Sequence, residues 1–283
     1  DEAAFRGLFD EENLNRCQNL DSGTQSSPIR PGYEFALTEN TFRSYGDAVG
    51  RVEIRNAHIR GTRSGLANEG GAAGTRMHDV TVRGVAGHGV PACPDAWGAA
   101  NGGEGDGFAF NPPSESVLTG AAADAAYTPI LHIGRGCEST AVERVLADVE
   151  VLDPERGYNR PADSSALALV SGPKHRIRLW RRDGQPLARA LPIKVGACAT
   201  QDTLICNLTQ QPVALSAEVT ESLIYSIGPV DDAGAGNAVV PVANLDAEPD
   251  PCRMVATGVS ETRTQDLRWG MKVFLAATSE AHF

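Results

Sequence analysis

The sequence contains NAHIRG at residues 56–61 and DVTVRG at residues 79–84, two near-copies of one short unit. Their Arg-Gly ends lie 23 residues apart. In each unit apolar and polar side chains alternate, as in a β-strand with one buried face, and a glycine ends the run. A strand-turn unit that recurs every 20 to 30 residues or so is typical of stacked architectures, in which each unit buries its apolar face on its neighbours.

Further short runs of β-branched or alternating residues follow at residues 130–133, 149–151, 166–170, 177–180, 204–206 and 223–225. Gly, Asp, Asn and Pro separate most of them, and long helical patterns are absent from this part of the chain. The chain is therefore predicted to be all-β, and a parallel β-helix is the preferred architecture. The alternative is a β-sandwich or jelly roll, in which the strands return antiparallel.

The two repeated units extend to VEIRNAHIRG at residues 52–61 and MHDVTVRG at residues 77–84. With an alternating strand, an Asn or Asp at the bend and a following Gly, residues 49–228 resemble the right-handed parallel β-helix proteins of the pectate-lyase-like superfamily. The resemblance implies a right-handed solenoid with a helical cap over its first coil. The loosely amphipathic residues 5–20 are the candidate for that cap.

The predicted organisation has three parts. Residues 1–40 form the N-terminal cap and a loop, residues 41–229 form the β-helix body, and residues 230–283 form a linker and a C-terminal tail or cap. Residues 91–128 are rich in Gly, Ala, Asp and Pro and are predicted to be an insertion without regular structure.

The chain carries 36 acidic and 25 basic residues, a net charge of −11. Such a surface repels polyanions at long range, which disfavours nucleic acid as a partner. No stretch approaches the roughly 20 apolar residues of a membrane helix, so no membrane span is expected. The first residues have neither a basic start nor an apolar signal core, as expected of a mature, trimmed form or of a fragment.

The six cysteines are scattered without a CxxC or CxxxC spacing. They predict two or three disulfides, and hence a secreted or cell-surface protein, with buried free thiols as the alternative. Cys198 and Cys206 flank a short polar turn and are the first predicted pair. The connectivity of the others does not follow from the sequence.

The repeated units place four cationic or titratable side chains at related positions: His58, Arg60, His78 and Arg83. If the coils stack in register, some of these side chains form a ladder on one outer face. Arg binds a carboxylate through two hydrogen bonds, and a neutral His can accept the proton alpha to that carboxylate. The ladder is the candidate catalytic site. The alternative is that these are solvated surface side chains without a catalytic role.

The string GHG at residues 87–89 is similar to the Gly-His-Gly of polygalacturonase-like β-helices, which makes His88 a further catalytic candidate. The paired aspartate that accompanies this string in that group is not recognisable here, since the preceding coil carries Asn68-Glu69-Gly70. Elimination or epimerisation is therefore preferred to hydrolysis.

The predicted insertion supplies the remaining candidates. Trp97 and Phe108 are the candidate substrate-binding aromatics. Trp97 would stack on a sugar face or, alternatively, anchor the loop on the body. Four oxygen donors on glycine-rich backbone make a candidate Ca²⁺ site, with a solvated loop as the alternative: Asp95, Asn101, Glu104 and Asp106.

Two functions from different classes follow. The first is an exported or surface-displayed β-helix protein that binds or processes a polysaccharide, with lyase or epimerase chemistry on an acidic glycan. The second is a non-catalytic structural or adhesive module, such as a spike, surface-layer or filament subunit that self-associates. Whether the protein is an enzyme at all does not follow from the sequence.

Overall fold

The computed structural model describes residues 42–45, 53–60, 66–69, 75–83, 107–110, 116–124, 129–134, 145–153, 166–187 and 190–258. Two long sheets dominate this part of the chain. The strands of sheet A are β1 Phe42–Tyr45, β4 Leu66–Glu69, β7 Phe108–Phe110, β9 Leu131–Ile133, β11 Ala168–Val170, β13 Ile193–Val195, β16 Val213–Leu215 and β19 Val230–Asp232.

Sheet B alternates with sheet A along the chain. Its main strands are β2 Glu53–Arg55, β5 Arg76–His78, β8 Ser116–Asp124, β10 Val145–Leu152, β12 Arg176–Trp180, β15 Leu204–Leu208, β18 Leu223–Ser226 and β20 Ala238–Pro241. Two short strands, β3 His58–Arg60 and β6 Thr81–Arg83, extend it beyond a bend, and β14 Thr200–Gln201 pairs with β17 Val219–Thr220 in a small third sheet.

Every strand pairing in the described ranges is parallel, and the strands of each sheet follow one another in chain order. One coil, as the term is used below, is a sheet-A strand with the sheet-B strand that follows it. The fold is all-β and compatible with a parallel β-helix. The alternative of an antiparallel sandwich is wrong for these residues.

A single apolar column runs through all eight described coils, because the register of sheet B keeps one inward-facing residue per strand in line. Its members are Ile54, Met77, Leu118, Ala147, Ile177, Ile205, Ile224 and Val239. All but the two end residues are buried, and Val239, in the last described strand, is 42 % exposed. Burial of this column and of the facing sheet-A side chains forms the main core.

The repeated units form adjacent coils, as predicted. Ile59 lies opposite Val82, and Arg60 lies opposite Arg83. The bend before each second strand is made by Asn56 and Asp79, whose φ angles of 52° and 54° lie in the left-handed region that Asn and Asp tolerate better than most residues.

The predicted structureless segment at 91–128 is wrong for residues 107–110 and 116–124, which form β7 and β8. Ala121 and Ala123 are buried opposite Val149 and Val151, so their small side chains serve as core residues. In β8 the Ala content that suggested a loop instead reflects close packing between neighbouring coils.

After β20 the chain turns back across the outer face of sheet B. We call residues 242–258 the C-terminal strap; it contains a 3-10 turn at Leu245–Ala247 and the helix α1 Asp250–Ala256, which packs against β8, β10 and β12. The strap covers a second apolar cluster that includes Leu146, Leu204, Leu208, Leu223 and Tyr225.

The strap also carries the disulfide of this region, which joins Cys252 to Cys206. The predicted Cys198–Cys206 pair is therefore wrong. Cys206 faces outward from β15 toward the strap, whereas Cys198 lies in the bend that follows β13. Cys198 is itself disulfide-bonded, and no described cysteine is free.

Candidate functional site

The outer side of the first sheet-B strands presents the candidate site. In β2, β5 and β6 the middle residue packs on or in the core and its two neighbours point outward, and in β3 Ile59 is buried. Arg55, His58 and Arg76 are exposed, and His78 and Arg83 are half-buried. We call these five residues, with the Arg60 position opposite Arg83, the basic face.

The register divides the predicted ladder into two parts. Arg60 and Arg83 occupy equivalent positions on neighbouring strands, as predicted. His58 instead lies opposite Thr81, and His78 lies on the other side of the bend, opposite Arg55. The ladder positions are therefore those of Arg60 and Arg83, because His58 and His78 occupy different positions within their coils.

Two arginines of this face, Arg55 and Arg76, were not predicted from the sequence. Each lies on the strand before the bend, at an outward position of the alternation Glu53-Ile54-Arg55 or Arg76-Met77-His78. The signal that identifies them is this same alternation, read two or three residues further toward the N-terminus. Arg55 also forms an ion pair with Glu53 on its own strand.

His78 is held by a side-chain contact across the sheet. Its Nδ1 lies 2.7 Å from Oγ1 of Thr119, the residue opposite it on β8. This hydrogen bond engages Nδ1. An imidazole with one ring nitrogen engaged in this way can accept or donate a proton at the other.

Other predicted site residues do not belong to this face. Phe108 is fully buried in the main core, so its prediction as a substrate-binding residue is wrong. The remaining ones lie outside the described residues: His88, Trp97, Asp95, Asn101, Glu104 and Asp106. Within the described ranges, no group of three or more His, Cys, Asp or Glu side chains is arranged to hold a metal ion.

A buried ion cluster joins the strap to sheet B. Arg178 donates to Asp148 Oδ1 at 2.7 Å and to Glu248 Oε1 and Oε2 at 2.7 and 3.0 Å. Its guanidinium also lies 4.8 Å from the ring centroid of Trp180. Burial by itself would lower the pKa of Arg178, but the hydrogen bonds to Glu248 and Asp148 raise it above its ordinary value. The three ionised side chains are at most 9 % exposed, so the cluster fixes the strap rather than meeting a ligand.

His175 is fully buried and has no access to solvent. It accepts a hydrogen bond from the Val145 amide at Nδ1, 3.2 Å away, and its Nε2 lies 3.1 Å from the Ser171 carbonyl oxygen. The pKa of His175 is lowered to about 4, chiefly by burial and also by the nearby Arg176, against the opposing effect of the hydrogen bond to Ser171. The imidazole is therefore a neutral bridge between coils.

This buried histidine predicts acid-sensitive stability. An unfolded His175 takes up a proton near its ordinary pKa of 6.5, whereas the folded one resists protonation down to about 4. Protonation between these values favours the unfolded state, so the free energy of unfolding falls by about 3 kcal/mol as the pH drops through this window. Urea unfolding at several pH values measures this loss.

The matched comparison uses His175→Gln and the exposed-site variant His58→Gln. The first is expected to be less stable at neutral pH and to lose less stability on acidification than the wild type. The second keeps the wild-type pH dependence. If His175→Gln and the wild type lost equal amounts of stability on acidification, His175 would not be the cause of the acid sensitivity.

The sequence also carries an N-glycosylation pattern at Asn207-Leu208-Thr209. Asn207 is fully buried, and its Nδ2 donates to the Gln211 carbonyl at 2.7 Å and to Ser226 Oγ at 2.8 Å. Because Asn207 is closed to solvent and its amide group already donates two hydrogen bonds, it is a structural residue in the folded protein.

No protein-family model matches the chain, and no curated protein matches it. In the described ranges, no helix has the length and apolar character needed to cross a membrane. The Cys206–Cys252 disulfide is of the kind that persists in oxidising compartments. The function has to be inferred from the residues of the basic face.

Proposed function

We propose that this protein is an exported parallel β-helix protein that binds an acidic polysaccharide along the basic face and processes it by elimination or epimerisation. The observation that carries the proposal is the register of the basic side chains on adjacent coils. Arg55 lies opposite His78, and Arg60 lies opposite Arg83, in a chain whose net charge is −11.

The geometry of the face suits a polymer of uronic acids. Neighbouring strands lie about 4.8 Å apart, so equivalent positions on successive coils repeat at a short, regular distance along the stack. A sugar chain laid across the strands meets new side chains at each coil. Arginine is suited to its carboxylates because the planar guanidinium forms two parallel hydrogen bonds with them.

His78 supplies the proton acceptor. In the tautomer whose Nδ1–H donates to Thr119, Nε2 accepts the proton from the carbon alpha to the uronate carboxylate, while a neighbouring arginine neutralises the carboxylate. In elimination, the electrons of that carbon–hydrogen bond form a double bond as the glycosidic oxygen leaves from the adjacent carbon and takes up a proton from water. In epimerisation, His78 releases its proton to solvent, and water protonates the opposite face of the same carbon.

The alternative function, a non-catalytic structural or adhesive module, gains no support from the last described coil. In the described ranges the last strands are β19 and β20. β19 carries Asp231 and Asp232, and β20 ends in Pro241, which has no amide hydrogen to donate. Charge and proline on terminal strands oppose edge-to-edge pairing.

Binding to a panel of polymers tests the proposal. Wild-type protein is expected to bind at least one polyuronate more tightly than a neutral glucan, with affinity that falls as salt increases. The double variant Arg55→Gln/Arg76→Gln should weaken binding by roughly tenfold or more, because hydrogen bonds to charged groups contribute about 1.5–3 kcal/mol each. Lys194→Gln, at an exposed position on sheet A, is the matched control and should bind as the wild type does.

Two results would contradict the proposal. One is equal affinity of the double variant and the control; the other is the absence of binding to every polyuronate.

The chemical step is measured separately, by the ultraviolet absorbance of an unsaturated uronate or by a change of uronate configuration in NMR spectra. His78→Gln is expected to bind the polymer while losing about 10²–10⁴-fold in rate, the usual contribution of a general base.

A further inference from the structure

The contact between His78 and Thr119 lies at the end of the C-terminal strap. Helix α1 ends at Ala256, and the turn that follows it contains Gly258, whose φ of +74° is a conformation that glycine adopts without strain. The last amides turn back into the helix: Thr257 N–H donates to the Met254 carbonyl and Gly258 N–H to the Val255 carbonyl. The strap thus ends in a defined turn over sheet B.

This turn rests on the residue that holds His78. A Cβ built on Gly258 would lie 3.5 Å from Cγ2 of Thr119 and 3.8 Å from Cγ1 of Val117. The two branches of Thr119 therefore have different neighbours: the methyl group lies on the side of the strap, close enough to Gly258 that an alanine there would touch it, and Oγ1 lies 2.7 Å from His78 Nδ1. A β-branched side chain has few allowed rotamers, so packing against its methyl group also fixes the direction of its hydroxyl.

The position of the strap is in turn fixed at two places. The Cys206–Cys252 disulfide joins α1 to β15, and Arg178 joins Glu248 to β12. The disulfide and the Arg178–Glu248 hydrogen bond therefore hold the strap over β8, where Gly258 lies next to Thr119 and Thr119 contacts His78.

We infer that Thr119 is a positioning residue, which holds His78 in the tautomer with Nε2 free, and that the disulfide-bonded strap keeps Thr119 in the required rotamer. The role of this tautomer in proton transfer rests on the proposed function. The placement of the proton on Nδ1 is a property of the protein itself and is tested without a ligand.

The experiment compares Thr119→Val with Thr119→Ser by ¹⁵N NMR of the histidine side chains in the full chain, with His78 assigned from the spectrum of His78→Gln. Valine matches the shape of threonine but lacks Oγ1, and serine keeps Oγ but lacks the methyl group. Wild type is expected to show His78 with the proton mainly on Nδ1. Thr119→Val should move it toward Nε2, and Thr119→Ser should lie between the two.

An unchanged His78 spectrum in Thr119→Val would overturn the positioning role. The strap is tested with Cys206→Ala/Cys252→Ala in the same spectrum. A shift of the His78 signals toward those of Thr119→Val supports the coupling, and wild-type signals in the disulfide variant would overturn it. Circular dichroism establishes that each variant is folded.

Activity provides the second readout on the polymer identified by the binding panel. Thr119→Val is expected to lower kcat by about tenfold or more at unchanged affinity, since the wrong tautomer presents a hydrogen instead of a lone pair at Nε2. If wild-type protein binds no polymer, the proposed function fails while the NMR result still decides the role of Thr119. If wild type is active and Thr119→Val retains full kcat, the positioning role is overturned and the proposed function stands.

Discussion

Arg178→Met is expected to lower the free energy of unfolding by about 3–5 kcal/mol, the usual cost of removing one partner from a buried ion pair. Asp148 and Glu248 are 6 % and 9 % exposed at their side chains, and both depend on the Arg178 guanidinium for neutralisation. Methionine fills much of the same volume but leaves two carboxylates buried without a cation. Guanidinium chloride unfolding measures the difference.

Arg182→Met is the matched control. Arg182 also lies over the Trp180 ring, at 5.9 Å from its centroid, and it also pairs with a carboxylate, that of Glu150. Its side chain is 78 % exposed, so its loss should change stability by no more than about 1 kcal/mol. Equal losses in the two variants would show that the Arg178 cluster is not effectively buried.

The neutral variant Asp148→Asn/Glu248→Gln in the Arg178→Met background adds a further check. It removes the uncompensated charges while keeping nearly the same shapes. Part of the lost stability should return, because the main cost of Arg178→Met is the two unpaired carboxylates. Further destabilisation would mean that lost packing, and not charge, dominates.

Cys206→Ala/Cys252→Ala is expected to lower the free energy of unfolding by about 4 kcal/mol, the entropic contribution of a disulfide that closes a loop of this length. The two cysteines are separated by 46 residues. The strap should also open locally before the rest of the fold, since the disulfide is one of its main attachments to sheet B. Hydrogen exchange at the amides of α1 measures this opening, and denaturant unfolding measures the total.

Reduced wild-type protein serves as the comparison for that variant and should behave in the same way. The core amides of β15 and β18 should keep their protection at the level of global unfolding. A loss below about 1 kcal/mol, or an α1 that exchanges no faster than in wild type, would contradict the role assigned to the strap's disulfide.

Much of the fold could be predicted from the sequence because the information is local. The alternation in residues 52–61 and 77–84, with Asn56 and Asp79 at the bends, specifies both a strand and the turn that follows it. Stacking then follows from the need to bury one face of each short strand. The register of Arg60 opposite Arg83 is a direct consequence of the 23-residue repeat.

What could not be predicted depends on contacts between distant parts of the chain. The Cys206–Cys252 disulfide forms because the strap folds back over sheet B, and nothing near Cys206 in the sequence indicates this return. The burial of Phe108 likewise depends on its place between neighbouring coils of sheet A. Arg55 and Arg76 could have been identified, because they obey the same alternation as the predicted residues.

The most direct test of the proposed function is hydrogen exchange of the wild-type protein with and without saturating oligogalacturonate and, separately, an alginate oligomer. Binding at the basic face predicts slower exchange in residues 53–60 and 75–83, with sheet-A residues 193–195 and 213–215 unchanged. Protection confined to sheet A, or none with either oligomer, would contradict the proposal that the first coils of sheet B bind an acidic polysaccharide.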